Sequence, residues 1–531
     1  MDSGIQSTLK SLAKHLLAAL VLYFPLVTAS ASLEFSDQTA ISGVAPPFLA
    51  DIPAGGIAVA DFDGNGYPDI FVTGYLLDNR IHFNQGDGTF VENPDINAMV
   101  AGNRCSVAAA ADYNNDGWPD IYVGCRNQSN LLLKNLEGKG FSNEIVPELD
   151  HSATGANSSR TDAVAWGDLT GNGHLDLFIG VYPASSQPDL NDPDNIDRIV
   201  LNHGDGTWTN IAEAFTGEAR AKSARTTLAV AISDLDHNGQ PDIYVVNDKL
   251  QGNLLWRNDG AGCGGLCLTE RSAQSGVSRP VFGMGIGLGD VDRDGRWDMY
   301  FSSIDEQVLM RGQSATPLFF AEDTDSALNH LAVGWGTIFA DFDNDGWEDA
   351  FLAVNSGSFS TSSNSDQLFS NQGDGTFVSV ISGSGLETIR PTEAAAIIDF
   401  DLDGRLDLVL GHWNQDPGYR LYRNVTPATG NWIGFRLQGG DGINRDAIGT
   451  RITLDDGSGT TQIRELRAGE SRGSSHHPVL HFGLGEATSA DVTVRWPDGL
   501  SQTFEDMSPG NYHVLAYPGA EIIFQDRFDQ L

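Results

Sequence analysis

Short apolar runs, each closed by a turn rich in Gly, Asp and Asn, alternate along almost the whole chain. Gly56-Ile57-Ala58-Val59-Ala60 precedes the first acidic turn and Ile70-Phe71-Val72 follows it. Runs this short, bounded by turn formers, predict buried strands rather than helices. The runs entering these turns are rich in small residues, as in Ala108-Ala109-Ala110-Ala111, Gly285-Ile286-Gly287 and Ala394-Ala395-Ala396. Small side chains suit the innermost strand of a radial sheet, where neighbouring strands crowd one axis. Further on, Asn84-Gln85-Gly86-Asp87-Gly88-Thr89-Phe90, Asn202-His203-Gly204-Asp205-Gly206-Thr207-Trp208 and Asn371-Gln372-Gly373-Asp374-Gly375-Thr376-Phe377 set Asp-Gly between strand-like runs. That is a hairpin signature.

The acidic turn recurs in one nine-residue frame, opening at Asp61, Asp112, Asp168, Asp234, Asp290, Asp341 and Asp399, with spacings of 51 to 66 residues. Units of that period with several strands each predict propeller blades. A further strand begins near Phe90, Phe141, Trp208, Leu268, Phe320 and Phe377, but after the seventh turn Tyr422-Arg423-Asn424 runs straight on to Pro427. A copy of the missing strand, Leu33-Glu34-Phe35-Ser36-Asp37, stands before the first turn instead. The N-terminal strand is therefore expected to complete the last blade, closing the ring and removing its open sheet edges. The expected fold is all-β: a seven-bladed β-propeller with calcium-binding hairpin loops, followed by a small β-sandwich-like domain.

Within the frame, oxygen-bearing side chains fall at positions 1, 3, 5 and 9. They are Asp61, Asp63, Asn65 and Asp69; Asp112, Asn114, Asp116 and Asp120; Asp168, Thr170, Asn172 and Asp176; and Asp234, Asp236, Asn238 and Asp242. The later loops give Asp290, Asp292, Asp294 and Asp298; Asp341, Asp343, Asp345 and Asp349; and Asp399, Asp401, Asp403 and Asp407. A hard cation such as Ca²⁺ takes six to eight oxygens, and alternate residues of a tight loop can turn them inward. Glycine at position 6 permits the left-handed backbone that wraps the chain round the ion. An EF-hand begins alike but needs a glutamate at position 12 and flanking helices; position 12 of the first loop is Val72, and its flanks read as strands. Up to seven Ca²⁺ ions are expected. By carboxylate count the third loop, with Thr170, is the weakest site, and the fifth to seventh are the strongest.

The net charge of −40 belongs partly to these loops and argues against nucleic acid or an anionic membrane as a partner. Residues 1–31 read as an export signal: Lys10 and Lys14 precede an apolar run from Leu16 to Val27, and Ala29-Ser30-Ala31 fits a cleavage site. The mature chain is then secreted, periplasmic or extracellular, with no stable membrane span. Four cysteines fit that compartment. Cys105 and Cys125 flank the second loop almost symmetrically, within reach of a disulfide across the hairpin, and Cys263 and Cys267 enclose a short loop.

These repeats resemble the FG-GAP (VCBS-type) repeats of integrin α-subunit heads and, more closely, the cartilage acidic protein family. The C-terminal part adds to that likeness. Asn431-Trp432-Ile433-Gly434-Phe435, Asn444-Arg445-Asp446-Ala447-Ile448-Gly449-Thr450-Arg451, His481-Phe482-Gly483-Leu484-Gly485 and Val494-Arg495-Trp496-Pro497-Asp498-Gly499 resemble the ASPIC/UnbV domain. The expected organisation is a signal peptide at 1–31, the propeller at 32–426, the ASPIC/UnbV-like β domain at 427–516 and a tail at 517–531. The resemblance implies a role in extracellular recognition or cell adhesion, with a protein or glycan as partner. No cysteine follows Cys267, so an EGF-like module such as some animal relatives carry is not expected within residues 268–531.

Three other motifs carry competing readings. Gly469-Glu470-Ser471-Arg472-Gly473 matches the hydrolase G-x-S-x-G pattern without the following helix that pattern needs, so a loop serine is expected. His476, His477 and His481 are expected on an exposed loop and strand, with a transition-metal site as the rival. Asn127, Asn157 and Asn424 begin glycosylation sequons. The alternatives to recognition are a carbohydrate lyase, hydrolase or secondary-metabolite tailoring enzyme working in the propeller funnel, or a structural envelope component. No nucleophile, base and orienting group can be assembled from the sequence for catalysis. Long insertions at 182–194 and 355–366, together with His412-Trp413-Asn414-Gln415, are the candidate recognition loops.

Overall fold

Non-alternating apolar runs become strands buried on both faces, and the weaker alternating runs become the rim. The computed structural model describes residues 32–520, apart from 45–53, 75–77, 127, 151–159, 184–188, 190, 192, 215–220, 262–265, 356–364, 414–417 and 428–429. The expected signal at 1–31, Cys263, the sequons at Asn127 and Asn157, most of both insertions, Asn414 and Gln415, and residues 521–531 lie outside these. In the second sheet, Cys105–Ala111 and Asp120–Cys125 are buried throughout, Leu131–Asn135 nearly so, and Phe141–Glu144 is partly exposed.

Among the described residues seven such sheets lie in sequence order, each running outward from a strand that enters an acidic turn. Their innermost strands are Ala54–Ala60, Cys105–Ala111, Arg160–Gly167, Thr227–Ser233, Ile286–Gly289, Leu331–Ala340 and Thr392–Ile398. Each packs beside the next, and the last returns to pack beside the first. The sheets therefore form a closed ring, a β-propeller. The final sheet takes its outermost strand from the N-terminus, as expected: Phe35 stands opposite Asn424 and Asp37 opposite Tyr422 in antiparallel register. Cys105 and Cys125 are register partners and are joined by a disulfide. Cys267 is also disulfide-bonded.

The C-terminal part is a two-sheet sandwich. Asn431–Gln438 runs between Leu480–Gly485 and Tyr512–Ala516, and Arg451–Asp455 runs between Thr461–Glu465 and Ala490–Arg495, with Ser501–Met507 at the edge. Its core of Phe435, Ile452, Phe482, Val492 and Val494 is continuous with Val164, Trp166 and Leu177 of the third propeller sheet. The sandwich and the ring share one apolar interior.

Candidate metal centres

All seven acidic turns fold alike, because their own backbone amides hold the carboxylates. The position-6 glycine N–H donates to Oδ2 of the position-1 aspartate at 2.6–3.0 Å in every loop. Those glycines have φ from +78° to +97°. Position 4 is also left-handed, with φ from +54° to +74°, although it is Gly only at Gly64 and Gly171 and is elsewhere Asn115, His237, Arg293, Asn344 or Leu402. A non-glycine residue accepts that conformation at a cost, offset here by the hydrogen bonds it permits.

The position-9 aspartate is the buried floor of each loop. Its Oδ1 accepts an N–H of the third strand at 2.7–3.0 Å, from the strand-end Asn84, Asn135, Asn202, Asn258, Asn371 or Asn424, or from Gly312 inside Val308–Ala315. In every loop but the second, its Oδ2 accepts the position-2 N–H. Burial pushes the carboxyls up: Asp61 to about 6, Asp290 to about 7, Asp298 to about 8 and Asp120 to about 9, with neighbouring carboxylates adding to the rise. Asp69, Asp176, Asp242, Asp341, Asp349 and Asp407 are raised well above the usual range by burial. Clustered carboxylates so strongly desolvated call for a cation or for protons.

The orphaned atoms favour the cation. Oδ1 of Asp61, Asp234 and Asp341 at position 1, Oδ1 of Asp292 and Asp401 at position 3, and Oγ1 of Thr170 at position 3 are buried without a hydrogen-bond partner. Buried polar atoms are rarely left so. In four loops three carboxylates bring ligand atoms within 4.8 Å of one another: Asp61, Asp63 and Asp69; Asp290, Asp292 and Asp294; Asp341, Asp343 and Asp349; Asp399, Asp401 and Asp407. All-oxygen donor sets with backbone amides behind them fit a hard divalent ion such as Ca²⁺. Thr170 turns its hydroxyl inward, where the other loops place a carboxylate or amide.

The carboxylate count overlooked the cations already near these sites. The residue before the third-strand end reaches into four loops. Arg257 pairs with Asp236 at 2.6 Å, Arg423 with Asp401 at 2.6 Å, Arg311 with Asp298 at 3.3 Å, and Lys134 approaches Asp116 at 3.8 Å. The first, third and sixth loops have Phe83, Leu201 and Ser370 there. Only the sixth combines four aspartates with no basic residue at that position.

Sequence reasoning also missed the asparagine belt. Asn84, Asn202 and Asn371 were read only as hairpin punctuation and Asn424 as a sequon, and Asn135 and Asn258 were not singled out; all six are buried. Each donates its side-chain amide to a carbonyl of the preceding sheet's loop: Phe400, Phe62, Tyr113, Leu169, Val291 and Phe342 respectively. Their recurrence 15 to 26 residues past the position-9 aspartate of each loop, at the end of the third strand, was the available signal. The fifth sheet has Gly312 instead, and there Trp297 Nε1 donates to Asp234 O at 3.2 Å. Asn424, fully buried and bonded, is not an accessible glycosylation acceptor.

The larger omission is the placement of the C-terminal sandwich, which docks on the acidic loops themselves. Arg436 donates to Gly66 O at 2.9 Å, Asp446 accepts the Asp112 N–H at 2.6 Å, and Tyr512 donates to Asp399 Oδ2 at 2.6 Å. Arg293 pairs with Asp456 at 3.3 Å and Arg464 with Glu348 at 3.1 Å. His481 meets Asn344 at 2.7 Å, and a Cβ on Gly483 would lie 2.0 Å from Asp341 Oδ2.

Residues 467–478 leave the sandwich and fill the axial channel. The loop exchanges backbone hydrogen bonds with the innermost strands: Ser475 with Ile57 and Val59, Gly473 with Ala108, Ala468 with Trp166, Ser471 with Ile286 and His477 with Ile397. Arg472 reaches the far end of the channel, its guanidinium 5.1 Å over the Trp335 ring, beside Asp162 and Glu393. Against burial, which would raise it, Arg126, Arg160 and Arg472 hold the Asp162 carboxyl at about 2. The histidines are thus not exposed as expected: His477 and His481 are each 7% exposed. Ser471 is wholly buried and its Oγ bonds to no base, so the loop reading of the G-x-S-x-G stretch stands. The funnel postulated for catalysis is occupied by this loop.

Residues 440–522 match the ASPIC and UnbV family, and 61–123, 112–179, 234–301 and 341–410 match the FG-GAP-like repeat, so every acidic loop falls inside a matched span. The chain is similar to cartilage acidic protein 1 of Mus musculus, 25% identical over 94% of this chain and 79% of that protein. The Homo sapiens protein is 25% identical over 96% and 79%. Among solved structures, BBS1N in complex with ARL6DN aligns at a TM-score of 0.44 and 10% identity, covering 76% of this chain and 99% of that one. An Agrocybe aegerita lectin described as recognising non-reducing terminal N-acetylglucosamine aligns at 0.40 and 18%, covering 64% and 84%.

Proposed function

Because this chain carries FG-GAP-like repeats and a C-terminal ASPIC and UnbV domain, we propose that it is a secreted, calcium-bound propeller that recognises a protein or glycan outside the cell. Residues 1–31 direct export, 32–426 form the propeller, 427–516 form its docked partner domain, and the loops from Asp61, Asp112, Asp168, Asp234, Asp290, Asp341 and Asp399 each take a Ca²⁺ ion. The ion cancels carboxylate repulsion inside each loop and fixes the ring; its role is structural. Recognition uses the face opposite the loops, where the insertions at 182–194 and 355–366 leave their sheets. The observation that carries this reading is the docking of the C-terminal domain onto the loop face, with Arg472 filling the channel. That leaves the opposite face for a partner. Relatives named for cartilage, an extracellular tissue, support the compartment.

The test is a glycan-array and extracellular-protein binding screen on residues 32–531, in calcium and in EDTA. Saturable binding that is lost on chelation and abolished by replacing 356–364 with a Gly-Ser linker supports the reading. Binding that survives changes to the loops of that face, or turnover of a bound glycan, overturns it.

A further inference from the structure

A cavity of about 100 Å³ lies between the innermost strands of the fifth, sixth and seventh sheets and the docked C-terminal domain. Leu288, Phe339 and Ile397 line it from the sheets, and Leu466, Val479 and Leu480 from the domain. Charged side chains enter this apolar frame: Arg464, Arg467, Glu348, Glu465 and Glu470, with His481 beside them. Asp341 also lines it, but its Oδ2 accepts the Gly346 N–H and it belongs to the sixth acidic loop.

Most of these groups are committed to one another. Arg464 Nε pairs with Glu348 Oε1 at 3.1 Å, and its Nη1 donates to Ile463 O at 2.8 Å. Arg467 Nε donates to Glu470 Oε2 at 2.6 Å and Nη2 to the Leu288 carbonyl at 2.9 Å, with the guanidinium 5.4 Å over the Trp297 ring. Glu348, Glu470, Leu288 and Trp297 all line this same cavity. The second oxygens of the two paired glutamates accept the N–H groups of Asp290 and Leu288. Arg464 Nη2, Arg467 Nη1, Glu465 Oε2 and His481 Nδ1 are buried without a hydrogen-bond partner, as is Nδ1 of His477, which stands between this cavity and its neighbour. The His481 ring donates from Nε2 to the Asn344 amide oxygen at 2.7 Å, and burial and Arg464 push its pKa down to about 3, so its Nδ1 is an acceptor. We propose that this cavity binds a small zwitterionic α-amino acid such as glycine, its carboxylate on Arg464 Nη2 and Arg467 Nη1 and its ammonium on Glu465 Oε2 and His481 Nδ1.

The free donors and acceptors select the class. Guanidinium N–H groups match the two oxygens of a carboxylate, and a glutamate oxygen with an imidazole nitrogen matches an ammonium group. Charge-assisted bonds of this kind strengthen away from water. A bare anion is opposed by Glu465, whose Oε2 has no partner. A bare cation would leave both guanidinium groups unsatisfied. A metal ion is not supported, since among the described residues the acidic loops alone bring three ligand atoms within 4.8 Å of one another. A cavity of about 150 Å³ holds a benzene-sized guest, so one of about 100 Å³ takes a molecule no larger, as glycine and alanine are. The site is separate from the recognition face, and its failure would leave the recognition reading standing.

The probe is glycine, titrated into purified residues 32–531 at saturating calcium and followed by calorimetry and thermal shift, with acetate, methylammonium and leucine in parallel. One saturable glycine site, with each of the other three at least about tenfold weaker, is the expected result. Glu465→Gln should weaken glycine by about tenfold or more and leave acetate as in the parent or tighter, because it removes both the ammonium's partner and the repulsion of an anion. No saturable glycine binding below about 10 mM leaves the cavity to water and overturns the proposal. Acetate or methylammonium binding as tightly as glycine overturns it too, and so does a natively folded Glu465→Gln that binds glycine as the parent does. If Glu465→Gln fails to fold, the ligand series on the parent decides.

Discussion

Replacing Asn135 by alanine should cost about 3 kcal/mol of stability, although the residue lies one step from a surface turn and its side chain bonds to no candidate ligand. Asn135 is 1% exposed. Its amide nitrogen donates to Phe62 O of the first loop at 2.9 Å and to Pro119 O of its own loop at 3.0 Å, and its Oδ1 accepts the Gly138 N–H at 2.8 Å. Alanine deletes three hydrogen bonds and leaves two carbonyls and one amide without a partner. At roughly 1 kcal/mol for each group so stranded, the sum is about 3 kcal/mol, with the upper end near 5. Urea denaturation at saturating calcium reads the loss directly, provided the slope with denaturant is unchanged. Asn143→Ala, on the exposed outer strand of the same sheet, should change stability by under about 0.5 kcal/mol. A loss under 1 kcal/mol for Asn135→Ala would mean that water replaces the side chain at no penalty, and the belt would then not join adjacent sheets.

Chelation by EDTA should lower the melting temperature. A site with Kd of about 10⁻⁴ M contributes roughly 1.4 kcal/mol at about 1 mM Ca²⁺, so seven independent sites shift the melt by about 10 °C; an unchanged melt rejects the metal reading. Acid should act oppositely on the two forms. Carboxyls raised by burial, such as Asp61 at about 6 and Asp298 at about 8, bind protons in the folded state that the unfolded chain lacks. Metal-free stability is therefore greatest near the acid end and falls as pH rises through 6 to 8, whereas the calcium contribution is lost as pH falls. Melts in EDTA and in calcium at pH 5.5 and 8 test this: their gap should widen at pH 8, and a constant gap refutes it. Asp341→Ala should cost about 2 kcal/mol in calcium against under 1 for Asp168→Ala, because the sixth loop has four aspartates and no basic neighbour at Ser370. Arg423→Gln should tighten the seventh site in a calcium titration, by removing the cation paired with Asp401 and Asp403; equal losses in the first pair, or weaker calcium in the second, would show that carboxylates and arginines do not compete with the ion.

How much of this was legible in the sequence divides along the range of the interaction. Strands, hairpins and ring closure were legible because apolar periodicity and turn chemistry are local, and because the missing strand after Asn424 and the spare one at Phe35 balance. The loop geometry was legible at position 6, where glycine recurs, and hidden at position 4, where Arg293 and Leu402 adopt the same left-handed backbone without glycine. Arg257, Arg311 and Arg423 entered no ligand count, because their side chains reach the loops from a strand more than ten residues away. The docking of the C-terminal domain left the faintest trace. Its channel loop binds the propeller mainly through backbone groups, so Gly469-Glu470-Ser471-Arg472-Gly473 carries no apolar period and resembled a hydrolase motif instead.

The glycines of that loop have a physical reason independent of catalysis, and it links them to the propeller. A Cβ on Gly56 would sit 2.0 Å from Gly473 O, and one on Gly469, at φ +112°, would sit 2.4 Å from Val164 O. The channel is therefore narrow enough that backbone must meet backbone, and the small residues of the inner strands are the complement of the glycines at 469 and 473. Seven sheets leave an axial hole, and this chain fills it with its own C-terminal segment, from which Arg472 reaches Asp162 and Glu393 at the far end. The same domain contacts the acidic loops through Asp446, Tyr512 and Gly483. The candidate metal loops and the docked domain thus share one set of contacts. On the proposed calcium reading, a change that empties a loop should loosen the domain resting on it, and a change that frees the domain should expose the loop to water.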